Sequence, residues 1–354
     1  MNDRENRLRA ARFEKPERIP LNFGFSAACY GHYPSEALDE LKAGHKLLFP
    51  GFQKPAVPRP PPGIEDYPLH HRVGRPYTDS WGCVWETAQN GITGAVVQHA
   101  LADWDAFETY VAPSPDEHDG WGPIDWTNIR SKLARCHQSG QLAAGRLRHG
   151  HTFLTLTYLR GYENFIFDMS DAHPKLPELI AMVEDFNRGL VDRYLAAGVE
   201  WMNYPEDLGM QQGPMLSPDH FRKYIKPVYQ RLVAPARKAG CVIYMHSDGD
   251  IRELVGDLME VGIEVINLQD LVNGIDWIAD NLKGRAAIAL DIDRQSITPH
   301  GTPEQIDEHV RQAVEQLGSP EGGLMLGYGL YPGVPLANVK ALMDAMEKYS
   351  TYYS

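Results

Sequence analysis

The segment CVIYMHSDGD, residues 241–250, decides how the rest of the chain is interpreted. It begins with an apolar run and ends in small and ionisable residues. This pattern is typical of a buried parallel strand that delivers polar side chains to the edge of a sheet. His246 and Asp248 stand two residues apart where the strand ends, so both can reach one metal ion, one proton or one substrate atom.

The same unit of strand and helix repeats along the second half of the chain. Strands are predicted at 199–204, 241–246, 263–268, 285–290 and 324–328, with one more at 19–24 and one or two within 141–160. Alternating strands and helices indicate right-handed βαβ units and a parallel sheet. Seven or eight such strands favour an α/β fold of the (β/α)8 TIM-barrel type. No GxGxxG motif follows an early strand, which removes the main dinucleotide-binding alternative.

The length of 354 residues fits one barrel domain that carries an insertion. We expect a single domain over residues 1–354, with regular β/α repeats at about 140–350 and an irregular insertion or lid at about 30–125. The run KPAVPRPPPG at 54–63 can be neither helix nor central strand, because proline lacks the amide donor and fixes φ. Five tryptophans between residues 81 and 126 belong to the lid or pack against the barrel.

Composition and charge exclude several classes of protein. The net charge of -13 comes without a basic patch, which argues against a nucleic-acid partner. No apolar run is long enough for a membrane span or a signal peptide, so we expect a soluble, cytoplasmic protein. The four cysteines form no CxxC pair, which makes a disulfide scaffold or a thiolate zinc knuckle improbable.

Polar residues follow almost every predicted strand, where barrel enzymes build their active sites. The residues concerned are Glu206, Asp207 and Gln211 after one strand, His246, Asp248 and Asp250 after the next, then Gln269 and Asp270, then Asp291, Asp293 and Gln295, and finally Tyr328. One histidine with several carboxylates could bind a divalent metal through mixed N/O ligands. It could equally form a metal-free acid/base site. The carboxylates could instead cap the helices that follow.

Several motifs, in this order and spacing, resemble the uroporphyrinogen decarboxylase superfamily over nearly the whole chain. They are RENR at 4–7, EKPERIPL at 14–21, EDLGMQ at 206–211 with MLSP at 215–218, HSDG at 246–249, GTPEQI at 301–306 and PLANV at 335–339. The decarboxylase branch carries an arginine motif after the first strand, where this chain has FGFSAACY at 23–30 without arginine. The corrinoid-linked methyltransferase branch holds zinc on H-x-C and a later cysteine. Here Asp248 replaces the first cysteine, and Tyr328 lies about where the second is expected.

The resemblance implies a methyltransferase that carries a methyl group from a small methylated or methoxylated donor to a separate corrinoid protein. We expect Glu206, His246 and Asp248 to act as the catalytic residues and to hold a zinc ion or a proton. Pocket-lining, substrate-binding residues would be Asp207, Gln211, Asp291, Asp293, Gln295 and Tyr328. Arg160 is a candidate carboxylate clamp or a structural salt bridge.

Two other functions remain open at this point. The first is a metal-free decarboxylase or lyase for a smaller acid, using His246 and a carboxylate for proton transfer. The second is a non-catalytic accessory subunit of a methyltransferase complex. The corrinoid would sit on a partner chain, because Asp307-Glu308-His309 starts a cobalamin-like pattern but Gln312 stands where glycine is needed.

Overall fold

Seven parallel strands form one curled sheet in the computed structural model, which describes residues 1–353. The strands are β1 Leu21–Phe25, β2 Ala144–Arg146, β3 Trp201–Pro205, β4 Val242–His246, β5 Val265–Gln269, β6 Ala287–Asp291 and β7 Leu324–Leu330. Their order in the sheet is β1-β7-β6-β5-β4-β3-β2. The first and last strands in the chain are therefore neighbours, as in a barrel, and the expected TIM-barrel-like fold is confirmed.

The strand count is seven, because residues 141–160 supply a single strand. β2 has three residues, and the apolar run after it forms the helix Phe153–Arg160. Within the described residues β1 and β2 are the two edges of the sheet and do not pair. The barrel is thus open along one seam, between β1 and β2.

Eleven helices of seven or more residues occur in the described part of the chain. They are α1 Asp3–Arg12, α2 Ser35–Gly44, α3 Trp126–Ser139, α4 Phe153–Arg160, α5 Tyr162–Ser170, α6 Leu176–Ala196, α7 Lys226–Lys238, α8 Val255–Val261, α9 Ile275–Leu282, α10 Pro303–Leu317 and α11 Leu336–Ser350. The expected capping box starts α10: Gln305 N–H donates to Thr302 Oγ1, and Thr302 N–H donates to Gln305 Oε1. None of the helices in residues 1–353 combines the length and the apolar character that a membrane crossing requires.

Between β1 and β2 the chain forms mostly short elements. A small antiparallel sheet joins Tyr77–Thr78, Val84–Glu86 and Ala95–Gln98. Trp81 and Trp85 from this region are buried in the same hydrophobic core as the barrel. The role of the segment as a lid stays a prediction.

Helix α1 fills the amino-terminal end of the barrel. Ala10 and Ala11 are buried in a cluster with residues that point inward from five strands: Trp201, Val242, Val265, Ala287, Ala289 and Met325. The Gly323 N–H donates to Ala10 O at 2.8 Å, and Arg4 Nε donates to Glu200 Oε1 at 2.7 Å. The polar strand ends described next therefore lie at the opposite, carboxyl-terminal end, where barrel enzymes build their sites.

Candidate metal and active site

Three side chains from three neighbouring strands converge at the carboxyl-terminal end of the barrel. His149 follows β2, Asp207 follows β3 and His246 is the last residue of β4. Asp207 Oδ1 lies 3.4 Å from His149 Nε2 and 3.6 Å from His246 Nε2. One ligand atom from each residue lies within 4.8 Å of the others. We call these three residues the His/Asp/His cluster.

Asn267 fixes the tautomer of His246. Its amide nitrogen donates to the Ala289 carbonyl at 2.6 Å, so its oxygen must be the atom that faces His246 Nδ1, also at 2.6 Å. Nδ1 of His246 therefore carries the proton and donates it to that oxygen. In the neutral ring Nε2 is left with a lone pair, and it is this nitrogen that faces the cluster.

The charges in the cluster oppose the cost of burial. Burial lowers the pKa of His149, but the Asp207 carboxylate and nearby acidic groups outweigh it, so the net pKa is raised. For Asp207 the two effects on the pKa act in the opposite directions. Burial raises its pKa, whereas the two histidines and the Asp248 N–H, which donates to Asp207 Oδ1 at 3.0 Å, lower it below the usual value. Without a metal, the pair favours an imidazolium beside a carboxylate.

A guanidinium holds two further carboxylates at the rim of the cluster. Arg294 Nη2 donates to Asp248 Oδ1 at 2.9 Å and to Asp291 Oδ2 at 2.6 Å. Asp291 is buried, and burial raises its pKa to about 7 although Arg294 lowers it. The same Asp248 oxygen lies 3.7 Å from His246 Nε2. Asp248 is therefore beside the cluster but bound to arginine.

Glu206 points away from the cluster and into the protein. Its carboxylate is fully buried and accepts hydrogen bonds from the backbone N–H groups of Thr152, Phe153 and Leu154, which start helix α4. The hydroxyl of Tyr229 donates a fourth hydrogen bond at 2.9 Å. Burial raises the pKa of Glu206 to about 7, against the lowering effect of these donors. Glu206 thus caps α4 and is not part of the group of side chains that could hold a metal.

The other residues expected in the site lie in different surroundings. Gln211 and Gln295 are exposed, and their amides meet at 3.3 Å. Asp293 accepts from the backbone N–H groups of residues 295–297 and caps the turn Ile297–His300. Tyr328 is 3% exposed and lies in the hydrophobic core. Arg160 is buried and forms an ion pair with Asp168 at 2.8 Å.

Three residues of this site were not predicted from the sequence: His149, Asn267 and Arg294. Of the metal ligands expected from the sequence, the cluster contains His246 alone, because Glu206 caps α4 and Asp248 is bound to Arg294. His149 stands three residues after β2, a strand of three residues that the local sequence does not mark. Asn267 lies inside β5, where its role depends on a contact with the neighbouring strand.

The donor set of the cluster fits a divalent metal such as Zn²⁺. Tetrahedral zinc with bonds of about 2.0–2.2 Å separates its N and O ligands by roughly 3.3 Å. The Asp207–histidine distances of 3.4 and 3.6 Å are close to that value. Two imidazoles and one carboxylate are also a common ligand set of catalytic zinc, which keeps a further position open. His149, Asp207 and His246 are therefore the residues that could hold the ion.

Comparison with known proteins agrees with the barrel fold. The family model for uroporphyrinogen decarboxylase (URO-D) matches residues 149–349, more than half of the chain. A solved methyltransferase from Methanosarcina mazei has a similar fold, with a TM-score of 0.64, 16% identity and coverage of 100% of both chains. The protein described here is thus a TIM-barrel-like α/β protein. It belongs to the uroporphyrinogen decarboxylase family.

Curated relatives are similar over shorter stretches. The uroporphyrinogen decarboxylase of Pongo abelii is 27% identical over 164 residues, which cover 44% of this chain and 42% of the relative. That of Danio rerio is 25% identical over 187 residues, covering 51% of this chain and 47% of the relative. The chain therefore spans less than half the length of these relatives. Members of the family are enzymes, and the reaction of this chain has to be inferred from its own site.

Proposed function

We propose that the protein is a methyltransferase that moves a methyl group from a small methylated or methoxylated donor to a corrinoid carried by a separate protein. The observation that carries the proposal is the His/Asp/His cluster, an N,N,O donor set open toward the barrel mouth. A metal-dependent methyl transfer needs such a set, whereas a metal-free decarboxylation does not. The full-length similarity in fold to an archaeal methyltransferase supports the same choice.

A metal ion held by the cluster would act as a Lewis acid toward the heteroatom that bears the methyl group. The chain's own residues prepare that position. Asn267 keeps the lone pair of His246 directed at the cluster, and the Asp248 N–H fixes the orientation of the Asp207 carboxylate. Arg294 and the two carboxylates that it binds lie at the rim, where they would orient the donor.

The corrinoid is proposed to be on a partner protein because the chain's own candidate ligand is occupied. His309, in the cobalamin-like pattern, is buried within α10. Its Nε2 lies 2.7 Å from Asp270 Oδ2, and the charge of Asp270 raises the pKa of His309 although burial lowers it. Because the ring is buried within α10, it offers a corrinoid no exposed nitrogen.

A metal-free carboxy-lyase for a small acid is the second candidate, and one observation favours it. The Asp207 carboxylate raises the pKa of His149 although burial lowers it, which favours a protonated imidazole in the metal-free site. Such a group can protonate a carbanion after loss of carbon dioxide. The decarboxylase activity named for the curated relatives points in the same direction.

Metal analysis after purification without chelators tests the first proposal. We expect one zinc per chain in the wild type and its loss in His149→Ala and Asp207→Ala. Asp248→Asn and His300→Ala should retain the metal, since Asp248 is bound to Arg294 and His300 is exposed away from the cluster. Zinc retained by the first two variants, or lost from Asp248→Asn, would contradict the ligand assignment.

An activity assay separates the functions. Wild-type protein with reduced cobalamin should form methylcobalamin from at least one donor in a panel of methoxylated aromatics and methylamines, and chelation should abolish the reaction. Carbon dioxide release from small acids by chelated protein would favour the lyase. If the wild-type protein shows neither methyl transfer nor carbon dioxide release, an accessory subunit is favoured.

A further inference from the structure

Asp248 stands between two partners that compete for the same oxygen. Its Oδ1 is 2.9 Å from Arg294 Nη2 and 3.7 Å from His246 Nε2. The second distance is close to the roughly 3.3 Å that separates two ligands of one tetrahedral zinc ion. Asp248 is not one of the cluster residues as it stands, but rotation of its side chain away from Arg294 would bring this oxygen toward a metal in the cluster.

We infer that Arg294 is a positioning residue that withholds Asp248 from the metal and so keeps a coordination position open for the substrate. The inference rests on the metal site of the proposed function. Three protein ligands leave a catalytic zinc ion with an open position, whereas four close it. In this chain the difference depends on where one carboxylate oxygen points.

The structure holds Arg294 in place for this task. Asp291, which is buried at the end of β6, binds the same Nη2 at 2.6 Å from the other side. The guanidinium also lies 5.6 Å from the ring of Tyr331. Arg294 is thus anchored independently of Asp248, and Asp248 is the more exposed partner of the two.

The backbone on the other side of Asp248 is fixed as well. The Asp248 N–H is bound to Asp207, and the Gly249 N–H donates to Gln269 Oε1 at 2.9 Å. Gly249 has φ +81° and lies so close to Gly209 that an added Cβ would come within 2.2 Å of its backbone. The loop has little freedom to move, so that side-chain rotation alone decides between arginine and metal.

A double-mutant cycle with Zn²⁺ and Co²⁺ as probes tests the inference. Arg294→Met should bind Zn²⁺ about tenfold or more tightly than the wild type, because Asp248 is released to become a fourth ligand. Asp248→Asn alone should change the affinity less than about threefold. The double variant Arg294→Met/Asp248→Asn should return to the affinity of Asp248→Asn.

The Co²⁺ spectrum reports coordination directly. Wild-type Co²⁺ protein should bind added imidazole with a change in its visible absorption, and Arg294→Met should bind it at least about tenfold more weakly. Arg294→Lys, which retains a positive charge beside Asp248, should behave like the wild type. Circular dichroism of each variant checks that the fold is retained.

Two results would overturn the inference. One is an Arg294→Met variant whose affinity and spectrum match the wild type. The other is equal tightening in the Asp248→Asn background, which would show that only the loss of a positive charge matters. If the wild type binds neither metal, the proposed function itself fails, so that the two failures are distinguishable.

Discussion

Asn267 and Asn203 are matched residues with one difference that matters. Each is the third residue of its strand, and each donates its amide N–H to a carbonyl of the neighbouring strand. The oxygen of Asn267 also accepts from His246, whereas that of Asn203 accepts from Trp201. Asn267→Ala should therefore reduce zinc affinity about 10- to 100-fold, because the His246 tautomer is no longer fixed.

Competition with a chromophoric chelator measures this effect, and Asn203→Ala is the control. Asn203→Ala removes the same kind of partly buried amide without touching the cluster, so its zinc affinity should stay within about threefold of the wild type. Equal losses in the two variants would mean that Asn267 acts only by supporting the strand.

Asp207 controls the protonation of His149. Asp207→Asn removes the main group that raises the pKa of His149, so burial should leave that pKa below its ordinary value in the metal-free protein. NMR titration of the imidazole carbons measures the shift. Asp248→Asn, whose charge is a smaller cause, should shift the pKa in the same direction but by less.

The raised pKa of His149 determines how the effect of Asp207→Asn on stability should depend on pH. A histidine whose folded-state pKa is raised contributes stability that is present below its unfolded pKa, about 6.5, and is lost as pH rises through the folded value. Asp207→Asn should thus destabilise the metal-free protein more at pH 5.5 than at pH 9. A greater loss at the higher pH in urea unfolding would contradict the pairing.

At the scale of elements, helix α4 depends on a carboxylate from another strand. Glu206 accepts three backbone N–H groups at the start of α4 and the Tyr229 hydroxyl. Tyr229→Phe removes a buried hydrogen bond to a carboxylate and should lower the free energy of unfolding by about 1.5–3 kcal/mol. Urea unfolding at pH 8, where the carboxylate is largely ionised, is the measurement.

Tyr204→Phe is the matched control for this prediction. Tyr204 is also buried, but its hydroxyl donates to the neutral carbonyl of Leu232 at 3.1 Å. Its removal should cost only about 1 kcal/mol. A larger loss from Tyr204→Phe than from Tyr229→Phe would show that the cap contributes less than its geometry suggests.

The sequence predicts elements well where apolar runs are long and poorly where they are short. The strand predicted at 285–290 is β6 Ala287–Asp291, displaced by one or two residues. β2 has the sequence AGR, which carries no strand signal, and the more apolar run FLTLTYLR after it is helical. Seven of the eight residues of that helix are buried, and burial is a tertiary property that no local pattern contains.

In the candidate site, the sequence also does not give the direction in which each side chain points. Glu206 and Asp207 are adjacent at the end of one strand and must point in opposite directions, but the sequence does not say which one faces the mouth. The structure turns Asp207 toward His149 and Glu206 toward α4. His246 was found because it ends a long apolar run, whereas Arg294 acts through Asp248, 46 residues away in the chain.

The whole molecule depends on the fit of helix α1 into the amino end of the barrel. Ala10 is fully buried against inward-pointing residues of several strands. Ala10→Leu should overpack this layer and lower the free energy of unfolding by about 1–3 kcal/mol. Thermal and urea unfolding measure the loss.

Ala181→Leu provides the comparison. Ala181 lies on the exposed face of helix α6, so the same substitution should change stability by no more than about 0.5 kcal/mol. Equal effects at both positions would mean that α1 only covers the barrel loosely. Zinc content should be unchanged in both variants, since the cluster lies at the other end.

Helix α1, which fills the amino-terminal end of the barrel, also limits how other molecules reach the cluster. With the amino-terminal end filled by α1, a donor molecule and a partner protein both have to reach the cluster from the carboxyl-terminal side of the barrel. For the proposed reaction the small molecule has to arrive before the large one covers the entrance, and the demethylated product cannot depart until the partner has left. The kinetics would then be ordered, with the sequence of arrival imposed by the shape of the barrel.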